Sequence, residues 1–527
     1  MKRATLATGA LVGGVTTLAL TAIFYLGTQL APLPFAPFDL FDWLARALPG
    51  DVVTLGIDTI VSVIIALDLG STSETAKLIE QIMAMVLFIA AGTVAGLFIG
   101  ALVGYSRRPG EWLGAVVGLL AFLAIAAVEW SLGVDNLALT LLWTAFSALC
   151  WGWLTGGAIE RLVTRTEMDP GRRRTLLQIA GSALAVALGA WGIGRWLSAE
   201  PADTGANEPL ADMIAEEAEP AETETAAAAL AGRIEPAPGT RPEVTPDGDF
   251  YRIDINIRPP VIKQATWQLE VAGLFSNARN LTLDDLMAFP AITQSITLSC
   301  ISNRIGGDLI STARWTGARL RDVLEELGLR PEASELFIQS EDGFYESVTM
   351  ADMLDQRTLL VYGMNGATLP ARHGFPLRIY IPNRYGMKQP KWIRSLEAID
   401  EEGRGYWVER GWSEEARPHI ISIIDTVAET AGDDGRVAVG GIAWAGDRGI
   451  QQVEVQVDDG EWAEATLRTP TLSTLAWTQW RYDWPAVSGR HTFRVRATDG
   501  TGMLQIEEET GVRPDGATGY HAMTARI

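Results

Sequence analysis

The chain has 527 residues, a formal net charge of −22, two cysteines and four histidines. A charge this negative excludes a typical nucleic-acid-binding protein, because phosphate neutralisation needs clustered lysine and arginine. Two cysteines exclude a disulfide scaffold and a cysteine-rich zinc or iron–sulfur site, and residues 1–372 have no histidine with which to ligate haem or zinc.

Residues 1–197 contain long apolar runs, which predict an all-α bundle of five membrane-spanning helices. A span needs about 20 mostly apolar residues. Runs of this kind lie at 6–30, 80–104, 112–131, 137–158 and 175–197. The stretch 52–67 is shorter and carries Asp58, so we interpret it as interfacial or re-entrant.

The short loops set the orientation of the spans, because basic residues stay on the cytoplasmic side. Arginine and lysine concentrate at residues 2–3, 107–108 and 161–174. Five spans then place the N-terminus in the cytoplasm and residues 198–527 on the outer face of the cell membrane. Arg173-Arg174, followed by an apolar run, also resembles a twin-arginine export signal, although a positive-inside anchor explains the same charges.

Two features bear on what the membrane half does. Gly92, Gly96, Gly100 and Gly104 recur every fourth residue, a spacing that predicts close approach of a neighbouring helix. Glu129 and Asp135 lie near helix ends, so we expect them to reach the membrane interface. We expect no buried chain of ionisable residues that could carry protons or substrate across the membrane. We therefore interpret this half as an anchor or docking platform.

The remainder of the chain divides into a linker and two domains. Residues 198–232 carry nine acidic and no basic side chains, and we predict a disordered acidic linker over 198–244. Short strands mixed with short helices predict an α+β domain over 245–417. Alternating strands with turns predict an all-β, immunoglobulin-like sandwich over 418–527.

Cys300 is the one cysteine in residues 198–527, and it follows a predicted strand in which apolar and polar residues alternate. A small buried apolar residue is the simplest interpretation. The segment Cys300-Ile301-Ser302-Asn303-Arg304, however, ends a strand beside an arginine, a setting that can stabilise a thiolate. A cysteine nucleophile with His373 as its base is an alternative that the spacing does not favour.

The second constellation runs from His373 to Arg378 and on through 382–392. Basic and polar side chains alternate there with glycine and proline, an arrangement that can cradle a phosphate through arginine and lysine donors. A solvated basic loop would have the same composition.

Taken together, residues 245–527 resemble the sulfite oxidase family of molybdenum enzymes, which has a molybdopterin domain followed by a dimerisation domain. The motifs that carry the resemblance are Phe250-Tyr251-Arg252, Cys300-x-x-Asn303-Arg304, Ser311–Gly317, Tyr362–Gly366, His373–Arg378, Lys391-Trp392 and Gly516–His521.

The resemblance implies a molybdenum–molybdopterin cofactor, with Cys300 as the single protein thiolate on the metal. Tyr362 would stand near the open oxo position of the metal, and Arg496 would lend a positive charge from the second domain to an anionic substrate. The residues that would hold the pterin and its phosphate are Tyr251, Arg252, Asn303, Arg304, Asp342, His373, Arg378, Gln389 and Lys391.

The sequence also departs from the family. Sulfite-oxidising members carry a second arginine after Asn-Arg, where this chain has Ile305, and their segment before Ser-Thr-Ala-Arg is longer. A sulfoxide or N-oxide reduced on the same fold is therefore an alternative to sulfite. A cofactor-free surface-binding module is the alternative outside enzymes.

The same resemblance leads to expectations about partners. No haem is expected, so electrons pass to or from a separate protein, and the C-terminal domain is a possible homodimer contact. The family's cofactor is inserted in the cytoplasm, which favours export of the loaded domain through Arg173-Arg174.

Overall fold

The computed structural model describes residues 2–31, 33–134, 136–163, 170–197 and 233–527. The chain divides into two compact units. One holds most of the N-terminal helices, and the other holds the β-rich part together with the short segment Ile64–Glu74.

The N-terminal unit is helical. Its helices are α1 (Lys2–Leu30), α2 (Ala36–Ala47), α3 (Gly50–Ala66), α4 (Thr72–Tyr105), α5 (Gly110–Leu132), α6 (Leu137–Val163) and α7 (Pro170–Leu197). Within the described residues, four stretches are long and apolar enough to cross a membrane: Thr5–Leu30, Thr72–Tyr105, Gly110–Leu132 and Leu137–Val163.

The fifth predicted span falls in α7, where the described apolar stretch, Ala180–Ala190, is shorter than a span. The predicted interfacial segment 52–67 forms the 17-residue helix α3. The amphipathic helix α2 was not predicted from the sequence.

Glycine contacts hold the helices close together, as predicted for α4. A Cβ atom built on Gly96 would collide with the backbone of α1 at Gly9 and Gly13. The same close packing joins α5 to α6, where Gly114 faces the backbone of Gly152. Small residues at these positions let the helix backbones approach each other directly.

The expectation that Glu129 reaches the interface is wrong. Its side chain is 0% exposed, and neither carboxyl oxygen has a hydrogen-bond partner among the described residues. The carboxyl group is thus enclosed by protein and does not reach the surface. Asp135 lies outside the described residues.

The first β-rich domain holds two sheets. One has the strand order β1-β9-β4-β5, with β1 and β9 parallel. Its strands are β1 (Glu270–Gly273), β4 (Glu335–Ser340), β5 (Tyr345–Thr349) and β9 (Ile393–Ile399).

The second sheet of this domain runs β2-β3-β6, and both β7 and β8 pair with β6. Its strands are β2 (Ala291–Ser299), β3 (Ile310–Arg319), β6 (Leu359–Met364), β7 (Ala367–Thr368) and β8 (Arg378–Tyr380). Because β2 ends at Ser299 and β3 begins at Ile310, the turn that carries Cys300 lies at one edge of this sheet.

Three short helices connect the strands: α8 (Leu283–Met287), α9 (Leu320–Glu326) and α10 (Met350–Met353). At the start of α8, the Thr282 side chain and Asp285 form a capping box. Leu320, Val323 and Leu324 of α9 are fully buried, in agreement with their helical spacing.

The C-terminal domain consists of two antiparallel sheets that share one apolar core, which includes Val439, Val453, Trp480 and Phe493. Their strand orders are β10-β11-β15-β14 and β13-β12-β16-β17. An immunoglobulin-like topology stays a prediction.

The strands of these two sheets are β10 (Ile421–Val427), β11 (Arg436–Trp444), β12 (Ile450–Val457), β13 (Ala463–Glu464), β14 (Thr466–Leu467), β15 (Thr478–Pro485), β16 (Arg490–Asp499) and β17 (His521–Arg526).

A segment that the sequence assigns to the linker packs on this domain. Arg241 forms an ion pair with Asp425 at 2.7 Å, and its backbone carbonyl accepts a hydrogen bond from Gln479. Ala237 is 2% exposed. Residues 233–244 thus lie along the C-terminal domain, and residues 198–232 of the predicted linker lie outside the described residues.

Candidate cofactor site

Cys300 follows the last residue of β2 and opens the turn that leads into β3. Its backbone N–H donates to the Leu309 carbonyl at 2.9 Å, and its sulfur lies 3.0 Å from the Ser302 hydroxyl. Burial raises the pKa of the Cys300 thiol, and the Ser302 hydroxyl opposes that rise. The protein alone therefore does not favour the thiolate form of Cys300, which the sequence had suggested because Arg304 is close by in the chain.

Asn303 shapes the same turn. Its side-chain oxygen accepts from the Leu309 N–H at 3.0 Å, while its amide nitrogen is buried with no partner among the described residues. A buried donor without an acceptor is costly for a protein to retain. A bound group that offers an acceptor beside Cys300 would satisfy it.

Basic side chains cluster where β8 and β9 begin. Arg378 donates to the His373 carbonyl at 3.1 Å and stacks over the Trp315 ring at 4.7 Å. Burial lowers the pKa of Arg378 to about 10 and that of Lys391 to about 8. Burial therefore disfavours the charged form of both Arg378 and Lys391.

His373 is neutral in this cluster. Its ring is 1% exposed and its Nε2 atom lies 3.0 Å from the Asp247 carbonyl. Burial, together with the nearby cations, lowers its pKa to about 3. A neutral ring can bind a ligand through a hydrogen bond but adds no charge.

Asp254 is the centre of the cluster, and the motif comparison did not single it out. Its carboxylate is 0% exposed and pairs with both Lys391 and Arg252. Arg378 is an electrostatic neighbour of the same carboxylate, so the cluster contains three cations and one carboxylate, a surplus of two positive charges. A phosphate monoester carries about −1.5 to −2 at neutral pH, so the donor set fits the phosphate of a pterin cofactor.

Tyr251 lies between this cluster and Cys300. Burial raises the pKa of its hydroxyl well above the usual range, with a further rise from Cys300 and an opposing effect of Arg378. A Cβ atom on Gly386 would come within 2.9 Å of the same hydroxyl. Tyr251 is therefore an electrostatic neighbour of both Cys300 and Arg378.

On the far side of Cys300 a cleft opens between the two β-rich domains. The first domain contributes Asn303, Arg304, Ile305 and Tyr385, and the second contributes the start of β10 and the closing run near Gly519. Tyr385 is a site residue whose role the motifs did not indicate. Its hydroxyl accepts the His419 N–H at 3.2 Å, and burial raises its pKa to about 12, so it keeps its proton.

Gln389 and Asp342 adjoin the site without entering the cleft. Gln389 donates to the carbonyls of Ile381 and Arg384, and its own side-chain oxygen is buried with no partner among the described residues. Asp342 is 5% exposed in the turn between β4 and β5, and it caps the Phe344 N–H at 3.0 Å.

Two further predicted residues, Tyr362 and Arg496, do not line the cleft. Tyr362 is buried on β6 within the apolar core of the first domain. Arg496 is on the outer face of β16, where it pairs with Glu454 at 2.8 Å and stacks over Trp462. Its neighbours Val495 and Ala497 fill the core instead, and Arg496 does not line the cleft.

Comparison with known proteins gives matches in the β-rich part of the chain. Residues 256–407 match the family model described as "Oxidoreductase molybdopterin binding domain". The chain is 30% identical over 273 residues to the mitochondrial sulfite oxidase of Rattus norvegicus, which covers 43% of this chain and 50% of that protein.

Two bacterial relatives are similar over shorter ranges. The "Uncharacterized oxidoreductase YuiH" of Bacillus subtilis is 32% identical over 146 residues, 28% of this chain and 72% of that protein. The "Putative protein-methionine-sulfoxide reductase subunit YedZ1" of Azospira oryzae is 33% identical over 152 residues, 29% of this chain and 56% of that protein. The chain spans about half the length of the mitochondrial sulfite oxidases of Rattus norvegicus and Mus musculus.

Proposed function

Because the chain belongs to the sulfite oxidase family of molybdopterin oxidoreductases, we propose that it transfers an oxygen atom to or from a small sulfur compound in the cleft beside Cys300. The observation that carries this proposal is that a buried thiol and a basic cluster share one neighbour. Tyr251, which is half-buried, interacts electrostatically with both Cys300 and Arg378, and Arg378 belongs to a cluster of three cations and one carboxylate.

The residues of the chain divide the work of holding the cofactor. Cys300 would supply the protein sulfur ligand, and Asn303 would offer its unpartnered amide nitrogen beside it. Arg378, Lys391, Arg252 and neutral His373 would hold the pterin and its phosphate. When bound, the cofactor supplies the two-electron oxo-transfer chemistry, while the protein orients it and selects the substrate.

The substrate side of the site is served by Tyr385 and Arg304. The Tyr385 hydroxyl accepts the His419 N–H, so its own proton is available to an oxygen atom in the cleft. Arg304 lines the same cleft and adds a positive charge. Both groups favour a substrate that presents a partly negative oxygen.

Sulfite is the substrate that the family suggests first, and a sulfoxide or N-oxide is the second candidate. Ile305 favours the second, because it stands where sulfite-oxidising members carry another arginine. One relative is also described as a subunit of a sulfoxide reductase. In either direction, the electrons would be exchanged with a separate protein.

The four apolar stretches support insertion of the N-terminal unit in a membrane. We propose that the enzyme domain faces outwards and that Arg173-Arg174 directs its export after cofactor loading. Replacing both arginines with lysine should leave the loaded domain on the cytoplasmic side, as measured by protease accessibility in spheroplasts. Unchanged accessibility of the loaded domain would contradict the export signal.

The decisive test of function compares the two cysteines of the chain. Full-length protein and the variants Cys300→Ser and Cys150→Ser are purified from a host that makes molybdopterin, and molybdenum and pterin are measured per chain. We expect molybdenum per chain to fall in Cys300→Ser, in which only the pterin-holding residues remain, and to stay at the wild-type level in Cys150→Ser. Equal metal in all three would refute the site, and no metal in the wild-type chain would favour a cofactor-free binding module.

A further inference from the structure

A short segment from the N-terminal part of the chain packs on the β-rich part. The segment Ile64–Glu74 consists of the end of α3, a turn, and the first three residues of α4, and it belongs to the same compact unit as the β-rich domains. Thr72 and Ser73, at the start of α4, are only 8% and 5% exposed. The first residues of α4 are therefore enclosed by protein.

The first contact of this segment reaches the turn that carries Cys300. The Thr72 N–H donates to the Asp308 carboxylate at 2.8 Å. The next residue, Leu309, donates its N–H to the Asn303 side chain at 3.0 Å and accepts the Cys300 N–H at 2.9 Å. The first N–H groups of a helix have no acceptor inside the helix, and a carboxylate near them is favourable. Asp308 thus ties the cysteine turn to the start of α4.

The second contact reaches the backbone beside the basic cluster. The Glu74 carboxylate forms an ion pair with the Arg372 guanidinium. The Arg372 carbonyl accepts a hydrogen bond from Lys391 at 3.4 Å, and the next carbonyl in the chain, that of His373, accepts from Arg378 at 3.1 Å. A restraint on Arg372 is therefore also a restraint on the backbone that positions two cations of the cluster.

One short segment thus contacts both parts of the proposed cofactor site. Asp308 belongs to the turn that would position the metal ligand, and Arg372 belongs to the backbone that positions the phosphate-binding cations. Thr72 and Glu74 themselves lie neither in the basic cluster nor in the lining of the cleft. A bound cofactor leaves when the parts of the protein that hold it move apart. A segment that is bonded to both parts should therefore slow this movement.

We infer that the segment Ile64–Glu74 is a clamp that holds the two parts of the cofactor site in position and slows the release of the bound cofactor, an inference that rests on the proposed function. Thr72 and Glu74 are its positioning residues, and they act through Asp308 and Arg372 rather than on the cofactor itself. The N-terminal part of the chain then does more than anchor the enzyme, because it contributes to retention of the cofactor.

The test measures cofactor release from the full-length, molybdenum-loaded chain in detergent. Bound molybdenum and pterin are followed over time after transfer to cofactor-free buffer. Thr72→Pro removes the donated N–H at the first position of α4, where a helix tolerates proline. Glu74→Gln removes the charge that pairs with Arg372 and keeps a side chain that suits the first turn of a helix. Asp68→Asn is the matched control, because it removes an exposed charge from the same segment. Asparagine suits the left-handed backbone there, where φ is 49°.

The rate of cofactor loss should rise in both clamp variants. We expect up to about fivefold in Glu74→Gln, the contribution of an exposed ion pair, and about tenfold in Thr72→Pro, the contribution of a hydrogen bond to a charged group. The double variant should lose cofactor faster than either single variant, and Asp68→Asn should stay within about twofold of wild type. Tryptophan fluorescence of the same samples should stay native while the cofactor leaves, since the clamp acts on the site in the folded chain.

The outcomes separate the clamp from the proposed function. Wild-type release rates in Thr72→Pro, Glu74→Gln and the double variant, with molybdenum bound at the start, would overturn the clamp and leave the proposed function standing. Equally fast loss in Asp68→Asn would overturn it as well, and so would loss that occurs only as the fluorescence reports unfolding. A wild-type chain that holds no molybdenum would overturn the proposed function and the clamp with it.

Discussion

Asp254→Asn tests the charge balance of the basic cluster. The substitution keeps the shape of the side chain but removes the single carboxylate that neutralises Lys391 and Arg252. Removing one partner of a buried ion pair costs about 3–5 kcal/mol, because the remaining charge is left uncompensated. At roughly 2–4 °C per kcal/mol for a unit of this size, the unfolding midpoint should fall by about 6–20 °C.

The assay follows thermal unfolding of the full-length chain by tryptophan fluorescence, in cofactor-free and loaded forms. The loss should be large in the cofactor-free form and smaller in the loaded form, since the cofactor phosphate supplies the missing negative charge. Asp433→Asn, at an exposed loop position, is the control and should stay within about 0.5 kcal/mol of wild type. An unchanged midpoint in cofactor-free Asp254→Asn, or an equal loss in both forms, would refute the reasoning.

Three more predictions follow from the same contacts. Burial lowers the pKa of Lys391 to about 8, so its charge is present below that pH and lost above it. Calorimetry of the cofactor-free chain should show inorganic phosphate affinity falling by up to about tenfold per pH unit above pH 8, and a flat profile to pH 9.5 would contradict this. Lys388 is buried and pairs with Glu346 at 2.8 Å. Glu346→Gln removes this counter-charge, and urea unfolding should show the free energy of unfolding reduced by about 3–5 kcal/mol. Tyr385→Phe removes the hydroxyl proton from the cleft and should lower kcat by about 10²-fold or more with molybdenum content unchanged, whereas wild-type kcat would exclude Tyr385 as a donor.

The candidate cofactor residues that the motifs named lie in short segments at strand ends. Cys300 directly follows β2, Arg378 begins β8, and Lys391 lies two residues before β9. The alternating pattern also located β2, the strand that Cys300 follows. The position of such a residue can be predicted from the sequence because the neighbouring strand determines it.

Residues whose role depends on distant partners were missed. Asp254 meets Lys391 across 137 positions of the chain, a pairing that no local pattern encodes. Arg496 was expected at the cleft, but the alternation of β16 turns Val495 inward and places Arg496 outside. Glu129 was expected at the interface because it lies near a helix end, but it is buried within the helical unit.

X-ray absorption at the molybdenum edge counts the sulfur ligands of the metal in the purified full-length chain, so it asks whether Cys300 binds molybdenum. Cys300→Ser reconstituted with cofactor serves as the comparison, and Cys150→Ser is the control. We expect the wild type and Cys150→Ser to share one sulfur ligand that Cys300→Ser lacks. An identical sulfur count in all three proteins would contradict a metal site at Cys300.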